Sequence, residues 1–451
     1  MTRSDIIIIG SGPGGYRAAC HAATKGLSVV IIEEAEVGGT CLNCGCIPTK
    51  TFCRNAEIID TLHKADEFGL SGLSYNLDFA KITERKEGVV SQLRSGVEAL
   101  LSQKNITLVR GRASFVDKST IVVGDELYVA DNIIIATGSH AALPPISGTE
   151  LLGVVTSTEL LNVKDVPHRL CIIGAGVIGM EFASAFSSFG SEVIVIEFLK
   201  EALPVLDGDI AKRLRQVLAR RGVVFFMQSC VKSIEETCNN ECKQLAVTFE
   251  RKGKETHVEA DMVLIATGRA ANTSGLNLES VGIDYNRKGI CVDENFQTNI
   301  KGIYAIGDVN GKCMLAHAAT FQGLHVVNYI AGAKDNIRHE IMPSAVFTNP
   351  EAASVGKSED MCKAEGIQYV CRKGFFRSNG KALAIGETEG MIKLITMPDG
   401  KILGCHCFGP HASDIVQEVA VLMNNDSTVS HLADMIHIHP TLAEVLHDIS
   451  L

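Results

Sequence analysis

The fold of this 451-residue chain is decided by the stretch Asp5-Ile6-Ile7-Ile8-Ile9-Gly10-Ser11-Gly12-Pro13-Gly14-Gly15. A short run that is apolar at every position is typical of a strand buried in a parallel sheet. The glycines predict a tight turn into a helix closing near Gly26, and a second apolar strand, Val29-Val30-Ile31-Ile32, ends at Glu33. Strand, glycine loop, helix, strand and acid in this order are the fingerprint of a dinucleotide-binding βαβ unit.

The residue types in this unit suit a nucleotide. Glycines allow the backbone to approach a pyrophosphate, whose charge is favoured at the positive end of the following helix. The carboxylate of Glu33, at the end of the second strand, is placed to accept a hydrogen bond from a ribose hydroxyl.

The same pattern occurs a second time. Leu170-Cys171-Ile172-Ile173 leads into Gly174-Ala175-Gly176-Val177-Ile178-Gly179, and Val193-Ile194-Val195-Ile196 ends at Glu197. A later pair of segments, Ile133-Ile134-Ile135-Ala136-Thr137-Gly138 and Val263-Leu264-Ile265-Ala266-Thr267-Gly268, repeats as well. The sequence therefore predicts an α/β protein with two Rossmann-like dinucleotide-binding domains.

The two copies differ by an insertion that carries cysteines. Gly15 and Ala136 are 121 positions apart, whereas Gly179 and Ala266 are 87 positions apart. The additional residues of the first copy include Cys41 and Cys46. A regular helix would turn residues i and i+5 about 140° apart, but Gly45 gives the backbone the freedom to bring both sulfurs together. We predict a redox-active dithiol beside a bound dinucleotide, in preference to two buried cysteines.

Composition limits the remaining classes of function. Hydrophobic residues make up 46% of the chain and charged residues 21%, with a net charge of −10. An acidic chain argues against nucleic acid as a partner, and no apolar run approaches the length of a membrane span. Fifteen cysteines without a recognisable signal peptide predict a cytoplasmic protein whose disulfides are catalytic, not structural.

The pattern changes in the last third of the chain. Gly302-Ile303-Tyr304-Ala305-Ile306-Gly307-Asp308 predicts one more buried strand ending in an acid. From about Ile341, strands such as Met391-Ile392-Lys393-Leu394-Ile395 alternate with helices and lack glycine loops. We predict domains at 1–147, completed by 271–338, at 148–270, and at 339–451, the last an α+β domain that most simply serves as an interface.

Five motifs together resemble the pyridine nucleotide–disulfide oxidoreductase family over essentially the whole chain. They are Gly-Gly-Thr-Cys-Leu-Asn-x-Gly-Cys-Ile-Pro, Gly-Ala-Gly-Val-Ile-Gly, Ala-Ile-Gly-Asp, Met-Leu-Ala-His and His-x-His-Pro-Thr-Leu-x-Glu. The resemblance implies FAD in the first domain, NAD in the second, and a homodimer in which the tail of one subunit completes the active site of the other. It also implies oxidation of a dihydrolipoyl group on a partner protein of a 2-oxo acid dehydrogenase or glycine cleavage complex.

The resemblance assigns roles around the dithiol. It makes Cys46 the sulfur against the flavin and Cys41 the sulfur that exchanges with substrate. It also pairs Lys50 with Glu181 in a buried ion pair beside the flavin, where solvated surface charge is the simpler alternative. Cys44 departs from the family, which usually has an aliphatic residue there. It is either a passive small residue or a third thiol that reshuffles the disulfide or confers sensitivity to oxidation or soft metals.

A histidine near the end of the chain is the candidate base. His439 lies in His437-Ile438-His439-Pro440-Thr441, with Glu444 shortly after it. An imidazole titrates near neutral pH and can accept a thiol proton, and a carboxylate orients it. The alternatives are a cluster of surface histidines or a metal site, but no cysteine is near. We therefore predict no metal, and we expect His437 to be structural.

The resemblance also implies two sets of cofactor-binding residues. For FAD they are Gly10, Gly12, Pro13, Gly14, Gly15, Glu33, Gly39, Thr40, Lys50, Ala113, Thr137, Gly138, Ser139, Asp308, Met314, Leu315, Ala316 and His317. For NAD they are Gly174, Gly176, Val177, Ile178, Gly179, Glu181, Glu197, Val231 and Gly268. Two departures affect the first set: Ala113 replaces a usual glycine, and 318–323 departs from the usual Lys-Ala-Glu-Glu-Gly.

Glu197 predicts the choice of nicotinamide cofactor. A carboxylate there accepts hydrogen bonds from the 2′-hydroxyl of NAD and repels the 2′-phosphate of NADP. The next residues are Phe198 and Leu199, and the nearest base is Lys200. The first alternative function is a related NAD(P)H-dependent disulfide or mercuric ion reductase, and Glu197 argues against the usual NADPH-dependent versions of it. A second alternative is a non-catalytic nucleotide-binding assembly subunit, which the dithiol and His439 disfavour.

Overall fold

The computed structural model describes residues 1–239 and 242–451, which divide into two compact units. The first unit comprises 1–51, 81–142 and 268–339, and the second comprises 52–80, 143–267 and 340–451. Residues 52–80, expected with the first nucleotide domain, thus group with the second unit.

The strands of the described residues range from two residues to the eleven of β14. They are β1 Thr2–Arg3, β2 Ile6–Ile9, β3 Val29–Glu33, β4 Ile106–Arg110, β5 Ala113–Phe115, β6 Thr120–Val123, β7 Glu126–Val129, β8 Asn132–Ile135, β9 Ser139–Ala141, β10 Val154–Val155, β11 Arg169–Ile173, β12 Glu192–Ile196, β13 Val224–Phe226, β14 Ser229–Asn239, β15 Cys242–Arg251, β16 Lys254–Ala260, β17 Met262–Ile265, β18 Arg269–Ala271, β19 Tyr285–Asn286, β20 Gly289–Ile290, β21 Ile303–Ala305, β22 Ser344–Val346, β23 Glu351–Gly356, β24 Val370–Phe375, β25 Met391–Thr396 and β26 Ile402–Gly409.

The helices include the two that follow the glycine loops. They are α1 Pro13–Thr24, α2 Gly39–Cys44, α3 Cys46–His63, α4 Phe79–Leu101, α5 Ser157–Leu160, α6 Val177–Ser188, α7 Gly208–Arg220, α8 Leu278–Val281, α9 Ala316–Ile330, α10 Glu359–Ala364, α11 Gly380–Ala384, α12 Ala412–Asn424, α13 Val429–Ala433 and α14 Glu444–Asp448. Short 3-10 turns lie at Ala65–Phe68, Gly307–Asn310 and Phe376–Ser378.

A parallel five-stranded sheet in the order β21-β8-β2-β3-β4 forms the centre of the first unit. Ile7 and Ile9 of β2 pack into one hydrophobic cluster, and Ile6 and Ile8 pack into another. Because side chains alternate across a strand, both faces of this sheet are buried, and this burial explains the continuous apolar run. A smaller sheet, β1-β7-β6-β5, lies in the same unit.

The second unit repeats this arrangement. Its parallel sheet has the order β10-β17-β11-β12-β13. The two strands flanking each glycine loop, β2 and β3 or β11 and β12, are neighbours, and β8 and β17 occupy equivalent places beside β2 and β11. The internal repeat seen in the sequence is therefore a repeat of topology, as expected for two Rossmann-like domains.

The last part of the second unit is an antiparallel sheet in the order β22-β23-β26-β25-β24. All six residues of β25 are buried. Helices explain this burial, because α12 packs against β23 and β26, and α14 packs against β24 and β25. The predicted α+β domain is present, although β25 does not show the exposed face that an alternating strand would have.

Among the helices of the described residues, none combines the length and the apolar character that a bilayer crossing requires.

Candidate active site

The first glycine loop is closed tightly around its own backbone. Gly10 has φ +101°, and a Cβ added there would lie 2.4 Å from the Ala136 carbonyl oxygen. A Cβ on Gly15 would lie 1.9 Å from the Gly10 carbonyl oxygen. Gly12 is the N-cap of α1, offers no side chain to cap it, and precedes Pro13 at the first helical position. The helix end thus presents backbone N–H groups to an anion, as a bound pyrophosphate requires.

Glu33 is fixed against the same loop. One carboxylate oxygen accepts hydrogen bonds from the Ser11 amide at 2.8 Å and the Ser11 hydroxyl at 2.7 Å, and the other accepts from the Ala35 amide at 2.9 Å. A carboxylate has about four acceptor positions, so one position remains for a ribose hydroxyl. These residues fit the adenosine half of a dinucleotide.

The dithiol sits where two helices meet. Helix α2 ends at Cys44 and α3 begins at Cys46, and between them Gly45 has φ −141° and ψ −109°, which is not helical. A Cβ on Gly45 would lie 2.9 Å from the Thr40 carbonyl oxygen, so the turn is closed because residue 45 is glycine. The break allows Cys46 to turn back, and its side chain forms a hydrogen bond with that of Cys41.

The surroundings of Cys41 favour its protonated form. The hydrogen bond with Cys46 raises the pKa of the Cys41 thiol, and burial adds to the increase. The positive charge of Lys50, one turn into α3, acts to lower the same pKa but does not outweigh the other effects. The two cysteines are thus joined by a hydrogen bond, and Lys50 is close enough to act on Cys41.

The insertion packs against the first glycine loop. Gly39 has φ +60°, and a Cβ there would lie 2.7 Å from the Gly12 Cα atom. The Gly38 amide donates to the Ser11 carbonyl oxygen at 3.0 Å. Asn43 then braces α2, because its side-chain amide donates to the Val37 and Gly39 carbonyl oxygens at 2.9 and 3.0 Å. The thiols are thus held beside the predicted pyrophosphate site.

A brace from outside the insertion was missed by sequence reasoning. The Arg94 guanidinium on α4 donates to the Asn43 side-chain oxygen at 3.0 Å. No local sequence motif predicts this contact, because 51 positions separate the two residues. It ties the short helix of the insertion to the long helix that follows.

Other residues predicted to contact FAD form a polar network. Arg269 donates to the Ser139 hydroxyl at 2.7 Å and carbonyl at 2.6 Å, and the Ser139 hydroxyl donates to Asp308. The Thr137 hydroxyl donates a hydrogen bond to the Asn272 carbonyl oxygen at 2.7 Å, and the Asn272 side-chain amide donates to the Thr137 carbonyl oxygen at 2.9 Å. Arg269 and Asn272 were not predicted from sequence, although the signal was available, because both follow the repeated segment that ends at Gly268.

The remaining predicted FAD residues lie in the same unit. Ala113 is buried in β5, and Gly138 has φ +71°. Met314 and Leu315 directly precede the helix α9, which begins with Ala316 and His317. These placements leave their contacts with a flavin as predictions.

Small residues explain part of the departure at 318–323. A Cβ on Gly323 would lie 2.9 Å from the Gly14 carbonyl oxygen, so α1 and α9 approach closely at this point. The buried Gln322 side-chain oxygen accepts hydrogen bonds from the Gly307 amide at 2.8 Å and from Asn310 at 2.9 Å. Gln322 therefore fixes the turn that begins beside Asp308.

The second glycine loop has the same geometry as the first. Gly174 has φ +106°, and a Cβ there would lie 2.5 Å from the Ala266 carbonyl oxygen. A Cβ on Gly179 would lie 2.0 Å from the Gly174 carbonyl oxygen. Gly176 is the N-cap of α6, and a Cβ on it would meet no described atom within 4 Å. This loop also fits a pyrophosphate at its helix end, with Val177 and Ile178 opening the helix.

The acid of the second copy is held as Glu33 is. The Glu197 carboxylate accepts hydrogen bonds from the Ala175 amide and, at 2.7 Å, from the Leu199 amide. Phe198, directly after it, is 70% exposed. Val231 lies in the hydrophobic core, which favours a packing role, and Gly268 has φ +139°.

Glu181 is not a surface charge. It is 2% exposed on α6 and accepts a hydrogen bond from the Phe347 amide at 3.0 Å. Lys50 is half-buried on α3. The predicted ion pair would join residues of different units and stays a prediction.

The histidine near the end of the chain has its predicted partner. His439 Nδ1 lies 2.8 Å from Glu444 Oε1, and Glu444 Oε2 accepts from the Thr441 amide at 2.6 Å. That amide, and after it His439, lower the pKa of the Glu444 carboxyl. The His439 side chain is 81% exposed, so Nε2 is available to another molecule.

Its neighbour His437 differs. His437 is 9% exposed in its side chain and lies 2.9 Å from Glu418, in keeping with a structural role. Within 1–239 and 242–451, no group of three or more histidine, cysteine or carboxylate side chains is arranged to hold a metal ion.

Comparisons with known proteins identify the family. Residues 4–323 match the family described as "Pyridine nucleotide-disulphide oxidoreductase", and 342–449 match its dimerisation domain. The chain is 39% identical to the dihydrolipoyl dehydrogenase of Chlamydia muridarum, over 98% of this chain and 95% of the relative. It is also 39% identical to that of Bacillus subtilis, over 98% and 94%.

Solved structures agree with this result. The HOCl-induced flavoprotein disulfide reductase RclA of Escherichia coli, as its Cu(II) complex, superposes with a TM-score of 0.89 at 30% identity, covering 100% of this chain and 99% of the other. A second structure of RclA, described without copper, superposes with a TM-score of 0.88 at 31% identity, and the match covers 99% of each chain. The chain therefore belongs to the pyridine nucleotide–disulphide oxidoreductase family, as an enzyme that uses FAD and NAD and carries the family's dimerisation domain.

Proposed function

We propose that the protein is a dihydrolipoyl dehydrogenase, which oxidises a protein-bound dihydrolipoyl group and reduces NAD⁺. The observation that carries the proposal is the Cys41–Cys46 pair, hydrogen-bonded and packed against the first glycine loop through Gly39 and Gly12. Relatives at 39% identity over nearly the whole chain bear that name. A dithiol in this position suits exchange with a small dithiol substrate.

The proposed cycle begins at Cys41. A substrate thiolate attacks Cys41 Sγ in the Cys41–Cys46 disulfide, forms a mixed disulfide and releases Cys46 as a thiolate. The second substrate thiolate then attacks the substrate sulfur bound to Cys41, closes the lipoyl ring and releases the Cys41 thiolate. When bound, FAD supplies the two-electron carrier that reoxidises this dithiol and delivers a hydride to NAD⁺.

His439 is the proposed base. It takes the proton of the attacking substrate thiol, and Glu444, at 2.8 Å, holds the ring and stabilises its positive charge. Because His439 is exposed on the family's dimerisation domain, we propose a homodimer in which His439 of one protomer serves the dithiol of the other. Lys50 and Glu181 are proposed to pair beside the flavin and position the nicotinamide.

The proposed division of labour follows the predicted domains. Residues 1–147 and 271–338 bind FAD, 148–270 bind NAD, and 339–451 form the dimer. Glu197 selects NAD over NADP through its carboxylate. The proposed partner is the lipoyl-bearing protein of a 2-oxo acid dehydrogenase or glycine cleavage complex. We place the enzyme in the cytoplasm, because fifteen cysteines suit a reducing compartment.

A reductase running in the opposite direction is the second candidate. RclA, a structural neighbour over the whole chain, is named a flavoprotein disulfide reductase. Such an enzyme would take electrons from NAD(P)H and open a disulfide substrate at Cys41. The same residues would act in reverse order, so the direction of turnover distinguishes the two candidates.

Steady-state turnover of the purified, FAD-loaded protein tests the proposal. Dihydrolipoamide with NAD⁺ is compared with NADP⁺, and with NAD(P)H plus small disulfides. We expect fast NAD⁺ reduction, little with NADP⁺, and a loss of roughly a thousandfold or more in Cys46→Ser. Cys291→Ser, at an exposed cysteine, is the control and should retain activity. Turnover with NAD(P)H and disulfides alone would replace the dehydrogenase with the reductase.

A further inference from the structure

Three cysteines, not two, lie at the dithiol. Cys41, Cys44 and Cys46 occur within six residues, and all three are half-buried, unlike the fully covered Cys171, Cys405 and Cys407. Cys41-Leu42-Asn43-Cys44 has the Cys-x-x-Cys spacing of redox motifs. The proposed function uses Cys41 and Cys46 and leaves the third sulfur without a task.

Helix α2 brings Cys44 to the same side as Cys41. Both lie within Gly39–Cys44, and residues i and i+3 of an α-helix are about 60° apart around the axis. Their Cβ atoms are then about 5–6 Å apart, whereas a disulfide needs about 3.5–4.5 Å. The last turn of α2 would have to tighten by about 1–2 Å.

The end of α2 is suited to such a movement. Cys44 is the last helical residue, and Gly45 after it has already left the helical conformation. Its neighbour Asn43 anchors the segment, because Asn43 bonds the Val37 and Gly39 carbonyls and receives Arg94. A shift of Cys44 towards Cys41 leaves these bonds of Asn43 in place.

We propose that Cys44 is an alternative disulfide partner of Cys41, so that the resting oxidised enzyme exchanges between Cys41–Cys46 and Cys41–Cys44 bonds. The Cys44 thiolate attacks Cys41 Sγ, the Cys41–Cys44 bond forms, the Cys41–Cys46 bond breaks, and Cys46 leaves as a thiolate. The Cys44 proton passes to water. One disulfide and one thiol are present before and after, so no oxidant or reductant is required.

The two isomers differ in what can open them, and this consequence rests on the proposed function. Electrons arriving from NADH reach the disulfide through Cys46, which the Cys41–Cys44 isomer has disconnected. A dithiol substrate still attacks Cys41 Sγ in that isomer and releases Cys44, and both isomers then give the same fully reduced enzyme. The Cys41–Cys44 bond thus forms a latent state that the thiol substrate reactivates and NADH does not.

Isotope-coded alkylation of the oxidised holoenzyme tests the proposal directly. Free thiols are alkylated under acidic denaturing quench with light N-ethylmaleimide, disulfides are reduced, and the released thiols receive the heavy reagent. Tandem mass spectrometry of tryptic peptide 26–50, which contains all three cysteines, then locates the light label. Light label on Cys46 reports the Cys41–Cys44 isomer, and light label on Cys44 reports the Cys41–Cys46 isomer. We expect both; light label confined to Cys44 in resting and aged enzyme overturns the proposal.

A kinetic arm provides an independent check. Aged wild-type enzyme should show a lag in the NADH-driven direction that preincubation with dihydrolipoamide removes, and Cys44→Val should show no lag. A lag of equal length in Cys44→Val would contradict the proposal. Mixed labelling in a protein that turns over no dihydrolipoamide would support the exchange and reject the proposed substrate, so the two failures are distinguishable.

Discussion

The two glycine loops solve one steric problem in the same way. In each, a Cβ on the first glycine would strike a carbonyl of the closing segment, at 2.4 Å for Gly10 and 2.5 Å for Gly174. A Cβ on the last glycine would strike the first, at 1.9 Å for Gly15 and 2.0 Å for Gly179. The difference lies outside the loop, because the insertion of the first copy packs Gly39 against Gly12, with a Cβ on Gly39 lying 2.7 Å from the Gly12 Cα atom. The glycine loop is therefore common to both copies, and the cysteine insertion that packs against the first loop adds the redox chemistry.

The segments that follow the two acids show the same contrast. After Glu33, the chain enters the cysteine insertion, which Asn43 and Arg94 brace. After Glu197, it runs to Asp207, the N-cap of α7, which is fully buried and bonded to Lys393 at 2.6 Å. One copy uses its loop to hold reactive thiols, and the other uses a buried ion pair to fix the way into a helix.

Replacing the last glycine of each loop by alanine should give the largest difference in cofactor binding between the two copies. Gly15→Ala is expected to lose FAD and all activity, because its Cβ cannot fit beside the Gly10 carbonyl. Gly179→Ala is expected to keep FAD and lose NAD⁺-dependent turnover. Overpacking costs about 1–3 kcal/mol, and more against backbone. Flavin absorbance and turnover measure the two effects, with Gly88→Ala on α4, where a Cβ has space and φ is not left-handed, as a control for the substitution itself.

Loss of FAD from both variants would contradict this prediction. If Gly179→Ala released FAD as readily as Gly15→Ala, the loops would not serve separate cofactors. Thermal unfolding of each purified variant distinguishes this result from general unfolding.

Replacing Lys393 should cause the largest loss of stability in the segment after the second acid. Lys393 is 1% exposed in its side chain and bonds Asp207, Asp209 and Glu359 at 2.6, 3.2 and 2.7 Å. Burial opposes its charge, but the hydrogen bonds to Asp207 and Glu359 outweigh burial and raise the pKa of Lys393. Lys393→Met leaves the buried Asp207 carboxylate without its lysine, at about 3–5 kcal/mol. Urea unfolding measures the loss.

A matched control is available in the neighbouring lysine. Lys373 bonds Asp209 at 3.0 Å but is 40% exposed, so Lys373→Met should cost no more than about 1 kcal/mol. Equal losses in the two variants would mean that the buried position of Lys393 has no special weight.

Acid should weaken the same cluster. The hydrogen bond from Lys393 holds the pKa of Glu359 at about 2, against an ordinary value of 4.5. A lowered carboxyl pKa stabilises the fold above pH 4.5 and loses that effect as the pH falls from 4.5 towards 2. The contribution is about 3 kcal/mol before solvent screening, which lowers it at this partly exposed carboxylate. Glu359→Gln should therefore flatten the fall of unfolding free energy across this range, and an unchanged slope would contradict the assignment.

Substitutions of Glu197 and Glu33 should affect different cofactors. Glu197→Gln removes the charge that opposes a 2′-phosphate, so we expect the preference for NAD⁺ over NADP⁺, as a ratio of kcat/KM, to fall about tenfold or about 1.4 kcal/mol. Glu33→Gln should weaken FAD retention and leave that ratio unchanged. A change of preference in Glu33→Gln alone would assign the cofactors to the opposite loops.

Much of this architecture could be read from the sequence, because the decisive signals are local. Glycine at positions with φ above +100°, such as Gly10 and Gly174, apolar strands, and an acid after the second strand are all close in the chain. The meeting of Cys41 and Cys46 also depends on one local residue, Gly45. The parallel sheets and the paired His439 and Glu444 follow from patterns of this kind.

Contacts over long separations could not be predicted. Lys393 stands between apolar residues in β25, and nothing near it in the chain indicates its partner Asp207, which is 186 positions away. Asp60 on α3 accepts from Ser188, Arg221 and Asn349 at 2.7, 3.0 and 2.6 Å, which places the second half of that helix in the second unit. A single sequence contains no periodicity that announces such partners.

The smallest expected effect comes from Gly176→Ala, which should change nucleotide binding without changing stability. A Cβ on Gly176 would meet no described atom within 4 Å, so Gly176→Ala should leave the unfolding temperature unchanged. A pyrophosphate drawn close to the N-terminus of α6 would meet that Cβ, and we expect KM for NAD⁺ to rise a few-fold with kcat preserved. A stable variant with unchanged KM would mean that the nucleotide does not approach this helix end, and the assignment of the second loop would then fail.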